Sequence, residues 1–333
     1  DALNWFREKH SAFHHMYYIL WQHWAWLWVK HSGIHFDVIH HVTMNDYRIP
    51  SELYKAKGAK VIWGPMGGAQ VTPKPLKVYE KNQLVANFRE FVNKSCSWNP
   101  FYKKALRSYY KIYCINNETQ KQISRIVGKD VPLMPELALR DEYKNLPIQK
   151  RKNDILKIVF VGRLIGKKGI AFLVDALSLM PTDMEWELLI FGDGDDRALI
   201  EKQIADSGIE KNIKLMGNRP LNQIAEAYQQ ADIFVLPSLR ETSGNVLLEA
   251  MAYAVPIVAF DTSFCRLLKK VDCGIFVNTE QALDNIEADY CKAIVTLGKD
   301  KELAKQMGLN GYKYVNKYLT WEAKYEVLLK EFL

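Results

Sequence analysis

Two carboxylates set eight positions apart, Glu241 and Glu249, flank a small polar turn in the stretch 237–252. Glu241 follows a short apolar run that reads as a strand, and Glu249 falls about two turns into the helix that follows. Between them Ser243, Gly244 and Asn245 offer backbone amides at a helix start, a setting suited to an anion or a sugar hydroxyl. A mid-helix glutamate is usually solvated. Glu249 instead sits amid Val246, Leu247, Leu248, Ala250 and Met251, so a buried or ligand-paired carboxylate is expected. The opposite charge comes from Val161-Gly162-Arg163-Leu164-Ile165-Gly166-Lys167-Lys168-Gly169, a strand running into a glycine-punctuated loop before a helix. Its amides, with Arg163 and Lys168, would cradle a diphosphate, although the Walker spacing is absent. Phe191-Gly192-Asp193-Gly194-Asp195-Asp196 lacks the third glycine of a dinucleotide fingerprint. Its acids could hold a metal on a diphosphate, but Arg163 and Lys168 are better placed to supply that positive charge. It reads as a tight strand-to-helix turn, with acids favouring the next helix start.

The elements that must hold these groups alternate regularly from residue 155 onward. Strands are expected at 158–161, 186–191, 213–216, 233–236 and 257–260, with helices at 170–180, 199–207, 221–230 and 245–253 between them. Continuous apolar strands alternating with helices predict an α/β, doubly wound parallel sheet, whose ligands sit at the carboxyl ends of the strands. The first half offers strand-like runs at 36–40, 60–63 and 112–115 and a helix near 101–110 with Lys103, Arg107 and Lys111 on one face. Over 16–29 only Gln22 and His23 are polar, and the run is shorter than the roughly 20 residues a bilayer span needs, so it reads as a buried or interfacial helix.

Charge is divided unevenly. Residues 1–150 carry 22 basic and 12 acidic side chains, leaving a balance of −3 for the rest. The first half is therefore the part that would meet an anionic partner, either nucleic acid or an anionic membrane surface. Five scattered cysteines with no C-x-x-C pair suggest neither a disulfide framework nor a zinc knuckle, and fit a reducing, cytoplasmic setting. His10 and His14 stand at i, i+4 without an H-E-x-x-H, so no metal site is expected. No secretory signal is visible, and the opening Asp1 hints at a trimmed N-terminus.

The run around Glu241 and Glu249 resembles the Glu-x7-Glu signature of the retaining family-4 glycosyltransferases, the group 1 enzymes of the GT-B fold. The loop from Gly162 to Gly169 is similar to that family's diphosphate loop, and Phe191 to Gly194 to its next strand end. The motifs stand in family order across 155–277. The resemblance implies two Rossmann-like doubly wound domains facing a cleft. These would be an acceptor-side domain over 1–150, a donor-binding domain over 151–318, and a closing helix in 319–333 crossing back to the first. By the same resemblance Gly162, Arg163 and Lys168 hold the donor phosphates, Glu241 the sugar hydroxyls and Glu249 the ribose. Ser243, Gly244 and Asn245 form the helix entry, and backbone at Gly217 and Asn218 passes the base. His40-His41-Val42-Thr43 and Trp63-Gly64-Pro65-Met66-Gly67-Gly68 look like a bacterial subset with a Gly-Pro-x-Gly-Gly loop facing the cleft. This places Gly67 and Gly68 at the donor and leaves His41 as either a sugar contact or a structural histidine.

Glu241-Thr242-Ser243-Gly244 stands where the family has Glu-Gly-Phe-Gly, and Ala254-Val255-Pro256 lacks the usual glycine before proline, so donor preference does not carry over. No first strand with a glycine-rich acceptor loop precedes the aromatic helix, and part of the N-terminal domain is expected to be missing from this chain. The expected activity is metal-independent, retaining sugar transfer from a nucleotide-diphosphate donor to a glycan or lipid-linked acceptor in cell-surface polysaccharide synthesis. It would need no cofactor and bind no nucleic acid, and it would be cytoplasmic or peripheral on the inner membrane face. The rival reading is a sugar-nucleotide-binding protein without transferase activity. An epimerase or hydrolase of the same fold is disfavoured because the clustered histidines are remote in sequence from Glu241.

Overall fold

A computed structural model describes residues 11–43, 46–81, 83–148, 155–242 and 244–332, with side chains from residue 16 onward. The chain forms two compact units. The first takes residues up to Gln70, Phe88–Glu136 and Phe332, and the second Val71–Asn87 and Leu137–Glu331. This division departs from a boundary at residue 150 for physical reasons. Leu139 donates its amide to Leu319 at 2.7 Å, and Tyr143 and Leu76 are buried in the core of the second unit. The closing helix Trp321–Phe332 groups with the second unit up to Glu331 and with the first at Phe332.

In the first unit β1 (Val38–His41), β2 (Lys60–Met66) and β3 (Lys111–Cys114) form a parallel sheet in the order β1-β2-β3. Val61, Ile62, Trp63 and Met66 are all buried, as a central strand covered on both faces requires. The helix Pro100–Ser108 starts where Asn99 caps the amides of Phe101 and Tyr102 and Pro100 takes the first position. Asn116 likewise caps Asn117–Val127, and Gly128 at φ 78° ends it. The helix Ser11–His31 also belongs to this unit, and the helix Gln83–Cys96 passes from the second unit into it at Phe88. No described helix is long and apolar enough to cross a membrane.

The second unit is built on six parallel strands: β4 (Leu156–Val161), β5 (Trp186–Phe191), β6 (Ile213–Gly217), β7 (Ile233–Leu236), β8 (Ile257–Phe260) and β9 (Gly274–Val277). Their order is β6-β5-β4-β7-β8-β9. The winding direction therefore reverses between β4 and β7, which pair directly through Ile158 with Ile233 and Val159 with Phe234. In such sheets the crevice for a ligand opens beyond the carboxyl ends of the strands at this reversal. The two motif loops leave the sheet there, one after β4 and one after β7. Strand β9 and the helices Gln83–Cys96, Asn117–Val127, Leu283–Lys299 and Lys301–Tyr318 were not foreseen from the sequence.

Backbones cross closely at the loops. A Cβ on Gly169, whose φ is 69°, would lie 2.0 Å from the carbonyl oxygen of Pro237, joining the β4 loop to the β7 loop. One on Gly192, at φ 126°, would lie 2.0 Å from the carbonyl oxygen of Gly162. Only hydrogen fits at either crossing, which accounts for both glycines without reference to a ligand.

Candidate functional site

The loop after β4 turns through a short 3-10 segment, Gly166–Lys168, into the helix Ile170–Leu177. It is tied to the loop after β7 by the amide of Leu239, which donates to the carbonyl of Lys167 at 2.9 Å. This brings Lys168 onto Glu241, Nζ to Oε2, at 2.5 Å, with the two side chains 16% and 12% exposed. The same carboxylate accepts from the Ser238 hydroxyl and from the Thr242 amide, each at 3.2 Å. Glu241 is thus held at both oxygens. Arg163 is exposed, and its side chain makes no hydrogen bond or ion pair among the described residues. Burial, then the Arg163 and Lys168 charges beside it, push the Lys167 ammonium below its ordinary range. The loop is therefore a crowded cluster of cations, and an arriving anion would relieve their repulsion. Lys167 was read only as part of the motif, because nothing in its sequence neighbourhood distinguishes a half-buried lysine from a surface one.

Glu249 is held differently. The helix Asn245–Ala252 is entered through Gly244 in the left-handed region at φ 62°, with Asn245 exposed. Ser243 lies outside the described residues. Glu249 faces inward, accepts from the Tyr228 hydroxyl at 3.2 Å, and has its carboxyl pushed above the usual carboxylate range by burial. The carboxylate is half-buried rather than solvated. Gly217 ends β6 at φ 68° and accepts from the Gly192 amide at 2.8 Å, while Asn218 is exposed just beyond it. Gly162, Gly217 and Asn218 therefore share the carboxyl edge of the sheet with Lys168 and Glu241. Asp193 turns back on its own loop, accepting from the Gly194 amide at 2.8 Å and pairing with Arg197 at 3.4 Å. Among the described residues no group of three or more His, Cys, Asp or Glu is arranged to hold a metal ion.

The remaining expected residues belong to the first unit. His41 is 4% exposed and stacks on Trp63 with ring centroids 6.2 Å apart and planes 4° from parallel, with Tyr18 and Trp21 at 6.5 and 6.4 Å. Burial lowers its pKa to about 4. The imidazole is packed among aromatic rings, as the structural alternative for this histidine requires. Gly67 accepts from the Tyr47 amide at 3.1 Å. Gly68, at φ 116°, turns its carbonyl toward two guanidinium groups, Arg48 at 2.7 Å and Arg89 at 3.0 Å. Arg48 also pairs with Asp46 at 2.6 Å and donates to Asn93 at 2.9 Å. The glycine loop is thus braced by side chains 20 and more positions away in sequence, which no local pattern could signal.

The Glycosyl transferases group 1 family matches residues 156–300, the stretch that contains both motif loops. This stretch is a group 1 glycosyl transferase domain. The amylovoran biosynthesis glycosyltransferase AmsK of Erwinia amylovora is 33% identical over 134 residues, 38% of this chain and 33% of its own length. The chain thus spans about a third of that relative. An uncharacterized glycosyltransferase of Methanocaldococcus jannaschii, MJ1178, is 26% identical over 285 residues, 84% of this chain and 76% of its own. Among solved structures, Alr3699/HepE of Anabaena in complex with UDP aligns at a TM-score of 0.58 and 15% identity, covering 83% of this chain and 73% of its own. The fold is GT-B, α/β with parallel sheets. Within the group 1 domain the matched segment opens at β4 and takes in Arg163, Lys168, Glu241 and Glu249 together.

Proposed function

We propose that the protein is a retaining glycosyltransferase that moves a sugar from a nucleotide-diphosphate donor to a glycan or lipid-linked acceptor in cell-surface polysaccharide synthesis. The observation that carries this reading is the meeting of Lys168 with Glu241 at 2.5 Å beside an exposed Arg163, at the point where the sheet reverses. A diphosphate entering there meets two cations. The sugar attached to it lies against the Glu241 carboxylate, and Glu249 takes the ribose hydroxyls. As the anomeric carbon–phosphate oxygen bond breaks, Arg163 and Lys168 stabilise the negative charge left on the diphosphate. The acceptor oxygen bonds to the anomeric carbon on the same face, and its proton passes to the departing phosphate oxygen, so configuration is retained. The cations meet the charge requirement without a metal.

The acceptor is lipid-linked and met at an anionic membrane surface. Support comes from the basic first half and from the helix Gln83–Cys96, where Leu84, Val85, Phe88 and Phe91 are 82%, 63%, 67% and 57% exposed. Residues 71–111 around it carry nine basic and two acidic side chains. The test is a panel of UDP-glucose, UDP-galactose, UDP-N-acetylglucosamine and the GDP and ADP sugars, with and without lipid-linked acceptors, scored for diphosphate release and for the anomer of the product. Transfer with retention is expected. Binding without release in every arm would reduce the protein to sugar-nucleotide recognition, and an inverted product would remove the mechanism.

A further inference from the structure

Residues 71–87, from the first half of the sequence, are packed into the second unit against the two motif loops. Leu76 is fully buried in that unit's core, and the Tyr79 ring meets Phe172 edge-on at 5.7 Å. The Tyr79 hydroxyl lies 2.8 Å from Asp175 and 2.7 Å from Glu287, so it can donate to either carboxylate. The next residue, Glu80, has a side chain only 8% exposed, yet it is paired. It accepts from the Thr72 hydroxyl and faces the guanidinium of Arg240, Nε to Oε1 at 3.2 Å and Nη2 to Oε2 at 3.4 Å. Lys81 pairs with Asp196 at 2.8 Å. The Tyr79 carbonyl passes close over Gly166, 3.5 Å from where a Cβ there would be.

Arg240 directly precedes Glu241. We propose that Glu80 is a positioning residue for sugar transfer, fixing Arg240 and through it the loop that aims the Glu241 carboxylate. Nη2 donates to Oε2, while Nε stands against Oε1 at ion-pair distance without hydrogen-bond geometry, so Arg240 is held by charge together with one donor. The pair is largely removed from water, so loss of either charge leaves the other uncompensated and the loop without its brace. Lys168 holds the Glu241 carboxylate itself at 2.5 Å, while Glu80 holds the residue before it.

This inference rests on the transferase reading for its kinetic arm only. Hydrogen exchange of the free protein, followed on peptides covering 237–244, tests the brace directly. Glu80→Gln is expected to speed exchange there by tenfold or more while β4 and β5 keep their protection. The exchange of Glu80 and Arg240 for one another in a double variant is expected to restore it. Arg240→Lys, which keeps the charge and loses the Nη2 donor, provides a second variant should Glu80→Gln fail to fold. With the UDP-sugar that the parent turns over, Glu80→Gln is expected to lower kcat about tenfold with KM little changed, but less than twofold in a Glu241→Gln background. Unchanged exchange at 237–244, or a loss spread evenly over the unit, overturns the proposal. So does an equal kcat loss in both backgrounds. Absence of all turnover with loosened exchange would count against the transferase reading and leave the brace standing.

Discussion

Glu241 is gripped at both carboxylate oxygens by a lysine, a hydroxyl and an amide, whereas Glu249 has a single hydroxyl partner in a buried setting. Their variants should fail differently. Glu241→Gln is expected to lower kcat about a hundredfold, the scale on which misplaced reacting groups are felt, with nucleoside diphosphate affinity nearly intact. Glu249→Gln should raise the donor KM and spare kcat, since the ribose it holds does not change during reaction. Steady-state kinetics on both separates the roles, and a kcat loss confined to Glu249→Gln would reverse them. Glu249 also predicts a pH effect. Burial raises its pKa in the folded state, so the folded protein holds this proton more tightly than the unfolded chain. The stability it contributes is complete below the ordinary carboxylate range and is lost as pH rises through the raised value. Glu249→Gln should therefore melt at a higher temperature than the parent near neutral pH and at the same temperature in acid, where both side chains are uncharged. Equal shifts at both pH values would assign the change to packing. Arg163→Ala should weaken nucleoside diphosphate binding by about 1.5–3 kcal/mol, the worth of a hydrogen bond between charged groups. The parent's affinity should survive EDTA in the same calorimetric titration, and its loss there would return Asp193 and Asp195 to consideration as metal ligands.

At the scale of elements, the helix Gln83–Cys96 presents Leu84, Phe88 and Phe91 on one exposed stripe, while Ala86 and Asn93 are buried. Full burial of a phenylalanine is worth about 1.5–3 kcal/mol. Phe88→Ser with Phe91→Ser should therefore cut sedimentation with phosphatidylglycerol vesicles about tenfold or more, while near-ultraviolet circular dichroism stays unchanged. Partitioning that is the same for the double variant, or the same on neutral vesicles, would remove this helix from the membrane surface. The sequence did not disclose it, because two buried residues on a 14-residue helix leave too narrow an apolar stripe to stand out from the exposed aromatics. The strands after residue 155 were legible for the opposite reason. Runs such as Ile233–Leu236 are buried at every position, and only a central parallel strand sustains that pattern. The helix Leu221–Gln230 fell where it was expected because Pro220 fixes its start.

Across the whole molecule, order in sequence and membership of a unit do not coincide, since Val71–Asn87 joins the second unit. Local patterns could name Arg163, Lys168, Glu241 and Glu249, whose chemistry is unusual for their surroundings. They could not name Glu80 or Arg240, which look like any surface pair until the fold brings them together across 160 positions. The burial of His41 was equally hidden, because its aromatic surround is assembled from Tyr18 and Trp21 on one helix and Trp63 on a strand. Gly169 and Gly192 give a further prediction. Gly169→Ala would force a methyl to within 2.0 Å of the Pro237 carbonyl in a left-handed backbone, and should cost upward of about 2 kcal/mol in denaturant melts. A drop smaller than that of an alanine placed in an exposed helix would show that the crossing can relax. A saturation scan of this chain scored by activity alone would then flag Gly169 and Gly192 as strongly as Glu241, and an observer would draw a catalytic centre around two bare crossings of main chain. Sorting the same library for soluble yield before assaying it would strip those two positions from the map and leave the carboxylates and cations behind.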